Sequence, residues 1–280
     1  MSHRDLDLQS LHIYPVKSLR GYAEAQVDVA RWGFEQDRRW MVVLPDGKFL
    51  SQRERPMMAR ISAKPGAGGL ALSTDFAGGP WVPLPTAAAG RRNVRVWGDH
   101  LTALDGGPAA RAWLSGELGT DCSLVYMDDT NARPVDPAYA MADDRTAFTD
   151  GFPVLVTNTA SLVALNHELP APITMDRFRP NIVLSGAQAW EEDHWRRIRI
   201  GAVKFRVAKP CARCAVTTVD QMTGARPDKT EPLRVLSQLR RSADGVIFGQ
   251  NLIPETPGRI ALGDPVEVLE TGASNLRFNR

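Results

Sequence analysis

The residues of this 280-residue chain best suited to chemistry lie at Lys209-Pro210-Cys211-Ala212-Arg213-Cys214, followed by Ala215-Val216-Thr217-Thr218-Val219-Asp220. A thiolate is both a nucleophile and a soft metal ligand, and the cations Lys209 and Arg213 flank the two cysteines. By itself the pair leaves several readings open: packing thiols, a dithiol redox couple, zinc, or one thiolate holding a cofactor. Zinc lacks a complete signature, because structural sites want about four protein ligands, Cys122 has no partner at a suitable spacing and His194 stands apart. The dithiol reading lacks the strand-to-helix setting of a thioredoxin-like motif. A cofactor would need polar groups from distant segments. Lys17, Arg38, Arg177 and Arg179 could hold phosphate oxygens, Ser18 and Thr157 could give short hydrogen bonds, and Asn158 and Asn181 could read heterocycle edges. Singly, each cation reads as an ordinary ion-paired or solvated charge.

The elements that must position these residues are mostly short strands. Residues 11–16 read as an extended segment that Pro15 ends early, 26–30 as a strand, and 39–44 as a strand turning through Pro45-Asp46-Gly47 into 48–51. Further strands are expected at 59–63 and 93–97, and a helix at 108–118, where proline opens the segment and Ala109, Trp113 and Leu114 recur helically. Between 64 and 92 the Gly, Pro and Ala content predicts loop. Residues 128–147 are polar and proline-bearing and read as a crossing between domains. Beyond them come a strand at 154–156 feeding a helix at 159–169, strands at 181–184, 198–200, 203–207 and 260–269, and a helix at 232–240. This pattern lacks the regular alternation of a doubly wound sheet. It predicts a mixed α/β, mainly β chain with a partly closed or barrel-like sheet, divided into 1–125 and 126–280.

Composition excludes several classes. An apolar share of 43% and a charged share of 24% are those of a folded globule. Lys and Arg total 34 against 32 acids, a net charge of +2, which leaves no global excess for a nucleic-acid backbone but permits a local basic pocket. Three cysteines point to a reducing compartment. No secretion signal and no apolar run approaching about 18 residues is seen, so a cytoplasmic location without a membrane anchor is expected.

The segments YPVKSLRG, DRRW, VTNTASL, RFRPNI and KPCARCAVTTVD, supported by SQRERP and GDPVEVL, resemble those of MOSC-domain proteins with an amino-terminal MOSC β-barrel domain. The likeness extends to the amidoxime-reducing components and spans residues 9–270. The resemblance implies a MOSC β-barrel domain after an amino-terminal β-rich domain, and a molybdenum cofactor, molybdenum on a molybdopterin dithiolene, with Cys214 as the protein's metal ligand. Lys17, Ser18 and Arg38 match positions around the pterin and its phosphate, and Arg177 or Arg179 the basic part of RFRPN. Thr157, Asn158 and Ser161 fall in a loop that looks like another cofactor wall. Cys211 could pack or tune the thiolate.

Soft sulfur ligation suits molybdenum, so the resemblance implies an oxidoreductase that removes oxygen from N-hydroxylated substrates. His194 and Asp220 are candidate proton donors. Some relatives carry a ferredoxin domain, but no cysteine follows Cys214 and no GxGxxG fingerprint is present. Electrons are therefore expected from a separate electron-transfer protein such as a ferredoxin or a flavoprotein reductase. The alternative is a molybdenum-cofactor carrier or sulfur-transfer protein, because the wider group resembles a module of cofactor sulfurases. A noncatalytic interaction domain is the third reading.

Overall fold

The computed structural model describes residues 6–276. Its main sheet has nine strands, ordered in space Tyr22–Glu24, Asp7–Ile13, Ile182–Ser185, Val154–Asn158, Gly245–Pro254, Val203–Ala212, Trp195–Ile200 and Val266–Thr271, with Arg241–Ser242 paired to Gly245–Pro254. Val154–Asn158 and Ile182–Ser185 run parallel, and the helix Thr159–Glu168 lies in the crossover that a parallel pair requires. A bridge from Leu6 to Val266 joins opposite ends of this order and curls the sheet toward a barrel. Alternation fills it: Leu11, Ile182, Leu184, Ile198, Ile200, Phe205 and Leu252 are all fully buried in one cluster.

Gly249 shows how tightly neighbouring strands approach. Its φ is 75°, and a Cβ there would lie 2.6 Å from the Val156 carbonyl oxygen, so only glycine fits.

The amino-terminal half builds a four-stranded sheet, ordered Trp40–Val43, Ser123–Tyr126, Asp99–Asp105 and Arg91–Val96, and a three-stranded one of Ser62–Gly66, Gly69–Ser73 and Gly78–Pro83. The helix Pro108–Leu118 forms where the sequence predicts it, with proline in its first turn and Gly119 at φ 60° closing it. Ala110, Leu114 and Leu118 on its inner face pack with Leu70, Leu72, Val82 and Leu124, and Cys122 is buried among them as a core thiol.

The mixed α/β, mainly β expectation holds, while several local expectations do not. Residues 64–92 are largely strand, because sheet bonds use the backbone and Leu70, Leu72 and Val82 suffice to seal one face. Residues 48–51 form only isolated bridges. Residues 56–60 make a 3-10 turn before the strand Ser62–Gly66, and 260–269 divides into Gly258–Ala261 and Val266–Thr271. Strand pairings also run across the expected division at residue 125, Asp7–Ile13 with Ile182–Ser185 and Gln26–Ala30 with Gly258–Ala261. The polar stretch after it is a local signal and carries no information about these long-range pairings.

Candidate functional site

Two irregularities place the cysteine segment. The register between Val203–Ala212 and Gly245–Pro254 shifts between Val207 and Lys209 and again between Pro210 and Ala212. Such bulges re-aim side chains at a sheet rim, and here Lys209, Pro210, Cys211 and Ala212 all border one cavity. The strand ends where Arg213 N–H donates to the Val246 carbonyl (2.7 Å). Cys214 then opens a 3-10 turn, Ala215–Thr218, its carbonyl accepting from Thr217 N–H (3.1 Å) and Thr217 Oγ1 (2.9 Å).

The cavity measures about 310 Å³ and lies between the two halves of the chain. Of the residues singled out in the sequence, Lys17, Ser18, Arg38, Arg179, Asn181, Cys211 and Cys214 line it. Three of these hold a left-handed backbone without being glycine: Ser18 (φ 68°), Arg38 (φ 48°) and Arg179 (φ 53°). Such conformations cost on the order of 1 kcal/mol each and gather at functional sites.

The lining is strongly cationic. Lys17, Arg38, Arg53, Arg179, Lys209 and Arg213 border the cavity against one carboxylate, Asp150. Arg38 and Arg179 each sit 4.3 Å from the Tyr14 ring centre, so a buried tyrosine sorts two like charges. The Tyr14 hydroxyl donates to the Pro180 carbonyl (3.1 Å), and burial pushes its pKa up to about 12. Arg38 donates to Asp37 (2.7 Å), Asn181 Oδ1 (3.0 Å) and the Arg179 carbonyl (3.1 Å). Burial, with Arg38 adding repulsion, lowers Arg179 to about 10, and its Nη2 is buried with no hydrogen-bond partner. Lys17, also shifted down by burial, donates to the Phe148 carbonyl (2.9 Å) and Asp150 (2.6 Å).

The halves are stitched beneath this cluster by a reciprocal amide pair. Gln52 Nε2 donates to Gln221 Oε1 (3.1 Å) and to the Ser18 carbonyl (2.8 Å), while Gln221 Nε2 donates to Gln52 Oε1 (2.9 Å). Gln221 Oε1 also accepts from Arg179 Nη1 (3.1 Å). One buried pair thus fixes both the Ser18 loop and the Arg179 fork.

The remaining candidates lie elsewhere. Arg177 points away from the lining: it donates to the Thr218 carbonyl (3.0 Å) and to Asp220 (3.2 Å), holding the turn that Cys214 starts. Thr157, Asn158 and Ser161 do not reach the cavity, and they belong to a strand and a helix rather than a loop. Asn158 accepts from Ala160 N–H as a helix cap and donates to Glu192 (3.2 Å), and Ser161 donates to the same carboxylate (2.7 Å). Asn158 and Ser161 thus solvate a fully buried acid. His194 is exposed beside the Gly272 carbonyl and Asp220 is tied to Thr223, so neither candidate proton donor borders the cavity.

Sequence reasoning missed Tyr14, Phe49, Arg53 and Asp150 as lining or cluster residues. Tyr14 and Arg53 carried a signal, through the YPVKSLRG and SQRERP segments. Cys211 accepts from Arg213 Nη1 (2.8 Å), whose Nη2 is fixed by the Phe178 carbonyl (2.6 Å). Among the described residues no three His, Cys, Asp or Glu side chains converge as a metal cage. No described helix is long and apolar enough to cross a membrane.

Two family descriptions match the chain: the MOSC N-terminal beta barrel domain over residues 6–121 and the MOSC domain over 143–267. The chain is 32% identical over 277 residues to mitochondrial amidoxime-reducing component 1 of Homo sapiens, spanning 92% of this chain and 82% of that protein. The Mus musculus counterpart is 34% identical, with 92% and 81% spanned. Mitochondrial amidoxime reducing component 2 of Homo sapiens is 30% identical, with 91% and 81% spanned. These relatives are mitochondrial by name, which overturns the expectation of a cytoplasmic location.

Proposed function

The chain belongs to the MOSC-domain family in the form that carries an amino-terminal MOSC β-barrel domain, and from that premise we propose that it is a molybdenum-cofactor-dependent reductase of N-hydroxylated compounds. The observation that carries this reading is the buried Arg179 Nη2, a charged donor without a partner, in a cavity that also presents the Cys214 thiol. An unpaired buried donor is costly, on the order of 1–3 kcal/mol, and an oxyanion in the cavity relieves that cost. The donor set fits a molybdopterin: cations for its phosphate, amide and hydroxyl groups for its heterocycle, and one soft sulfur for the metal.

In this assignment Cys214 ligates the metal, and the turn it opens is held in place by Arg177. Arg179, Arg38 and Lys17 bind the phosphate and pterin side together with Ser18 and Asn181. Arg38 is aimed by Asp37 and by stacking on Tyr14, so its fork needs little reorganisation to meet an anion. When bound, the cofactor supplies two-electron redox and oxygen-atom-transfer chemistry. Phe49, Phe152, Leu155 and Phe178 contribute apolar side chains to the lining. Electrons come from a separate electron-transfer protein of the ferredoxin or flavoprotein-reductase class.

Reduction of benzamidoxime by cofactor-loaded protein with a supplied reductant tests the reading. Amidine formation that tracks molybdenum content is expected. Delivery of cofactor to an apo-enzyme without amidine formation would replace the reductase with the carrier or sulfur-transfer alternative.

A further inference from the structure

Five of the six cations bordering the cavity are engaged by protein groups. Lys17 pairs with Asp150, Arg38 with Asp37 and Lys209 with Asp244. Arg213 donates to Cys211 and to the Phe178 carbonyl, and Arg179 to Gln221. Arg53 differs. Among the described residues its guanidinium has neither a carboxylate nor a hydrogen-bond acceptor. Aromatic rings hold it instead, its centre 4.5 Å from the Trp97 ring and 5.4 Å from Phe49.

That mount is itself fixed. Trp97 and Phe49 meet edge to face at 5.3 Å, and the Trp97 indole N–H donates to Asp150 Oδ1 (3.2 Å), the oxygen that Lys17 also binds. Trp97 adopts φ 54° and is 49% exposed, which places this group at the rim, whereas Arg179 is 8% exposed. Stacking orients a planar guanidinium without using its N–H groups. Arg53 therefore presents an intact fork to the cavity, whose lining includes Phe49 and Phe152. A fork of this kind matches the two oxygens of a carboxylate. The buried cations already supply the charge that a cofactor phosphate needs, so the rim fork is free for the other ligand.

We infer that Arg53, mounted on Trp97 and Phe49, is the specificity-determining residue of the site and selects planar N-hydroxylated compounds that carry a carboxylate. The inference rests on the reductase reading for the N-hydroxylated part of the ligand, and on Arg53 alone for the carboxylate.

The test compares cofactor-loaded wild type, Arg53→Gln and Arg53→Lys with two probes, 4-carboxybenzamidoxime and its methyl ester. Dissociation constants are measured by calorimetry, kcat/KM with a supplied reductant, and molybdenum and pterin per chain for each protein. Wild type is expected to prefer the free carboxylate by about tenfold to a hundredfold, the range of a charge-assisted hydrogen bond. Arg53→Gln should abolish that ratio, and Arg53→Lys should restore part of it, keeping the charge without the fork. Equal affinity of wild type for both probes, or a preference that survives Arg53→Gln, overturns the inference. So does loss of molybdenum and pterin from Arg53→Gln, which would make Arg53 a cofactor ligand. A carboxylate preference in binding without turnover of either probe supports the role of Arg53 and sinks the reductase reading.

Discussion

Glu192 is completely buried, and burial raises its pKa from the usual 4.5 to about 7 despite hydrogen bonds from Ser161 and Asn158. In the unfolded chain the same carboxyl titrates near its ordinary value. The folded state therefore binds the proton more tightly, and the stability this gives is fully present below about pH 4.5 and is lost as pH rises through about 7. A displacement of this size corresponds to about 3 kcal/mol. Glu192→Gln removes the titration while keeping the side chain's shape. Urea denaturation at closely spaced pH values from 4.5 to 8.5 measures the effect, with the m-value checked for constancy. Wild type minus variant should fall by about 3 kcal/mol across that window. Subtraction cancels the other titrating groups. Parallel curves would refute the reasoning, because they would mean that hydrogen bonds from Ser161 and Asn158 fully offset the cost of burying the Glu192 charge.

Three further outcomes follow from the packing and the site. Asn158→Ala removes a helix cap and a donor to Glu192 together, and should cost about 2 kcal/mol in urea midpoints while leaving molybdenum content unchanged; loss of molybdenum would return Asn158 to the cofactor wall. Gln221→Leu leaves Gln52 and Arg179 Nη1 without their shared partner, and should lower stability by about 1–3 kcal/mol and weaken cofactor retention, whereas Gln221→Glu should recover the contact to Arg179; equal retention in all three proteins would contradict the positioning role. Cys214→Ala, compared with Cys211→Ala, should lose molybdenum at an unchanged urea midpoint, and equal metal content in the two variants would remove Cys214 as ligand.

What the sequence discloses depends on whether the signal is local. The strand Gln26–Ala30 and the helix Pro108–Leu118 are legible because alternation, an opening proline and helical spacing sit inside the segment itself. The strands Gly69–Ser73 and Gly78–Pro83 are hidden, since glycine and proline there mimic a loop while the backbone carries the pairing. The long-range pairings are hidden for a related reason: nothing near residue 125 records that Asp7–Ile13 pairs with Ile182–Ser185.

The site divides in the same way. Lys17, Arg38, Arg179 and Cys214 are visible as chemistry-bearing types within segments that resemble a family, and the structure gathers them around one cavity. Tyr14 between two guanidiniums, and Gln52 facing Gln221, are contacts across the whole chain made by residues unremarkable in type. Asn158 and Ser161 satisfy a buried acid, and such a polar cluster has the same composition as one that satisfies a ligand.

The central claim is that the cationic cavity holds a molybdenum pterin on Cys214. Its most direct measurement is the molybdenum and pterin content per chain of folded protein purified from a host that makes the cofactor. About one of each per chain is expected for a cavity with a single soft sulfur ligand. Folded protein from such a host with neither molybdenum nor pterin would contradict the claim and leave the unpaired Arg179 donor to a different anion.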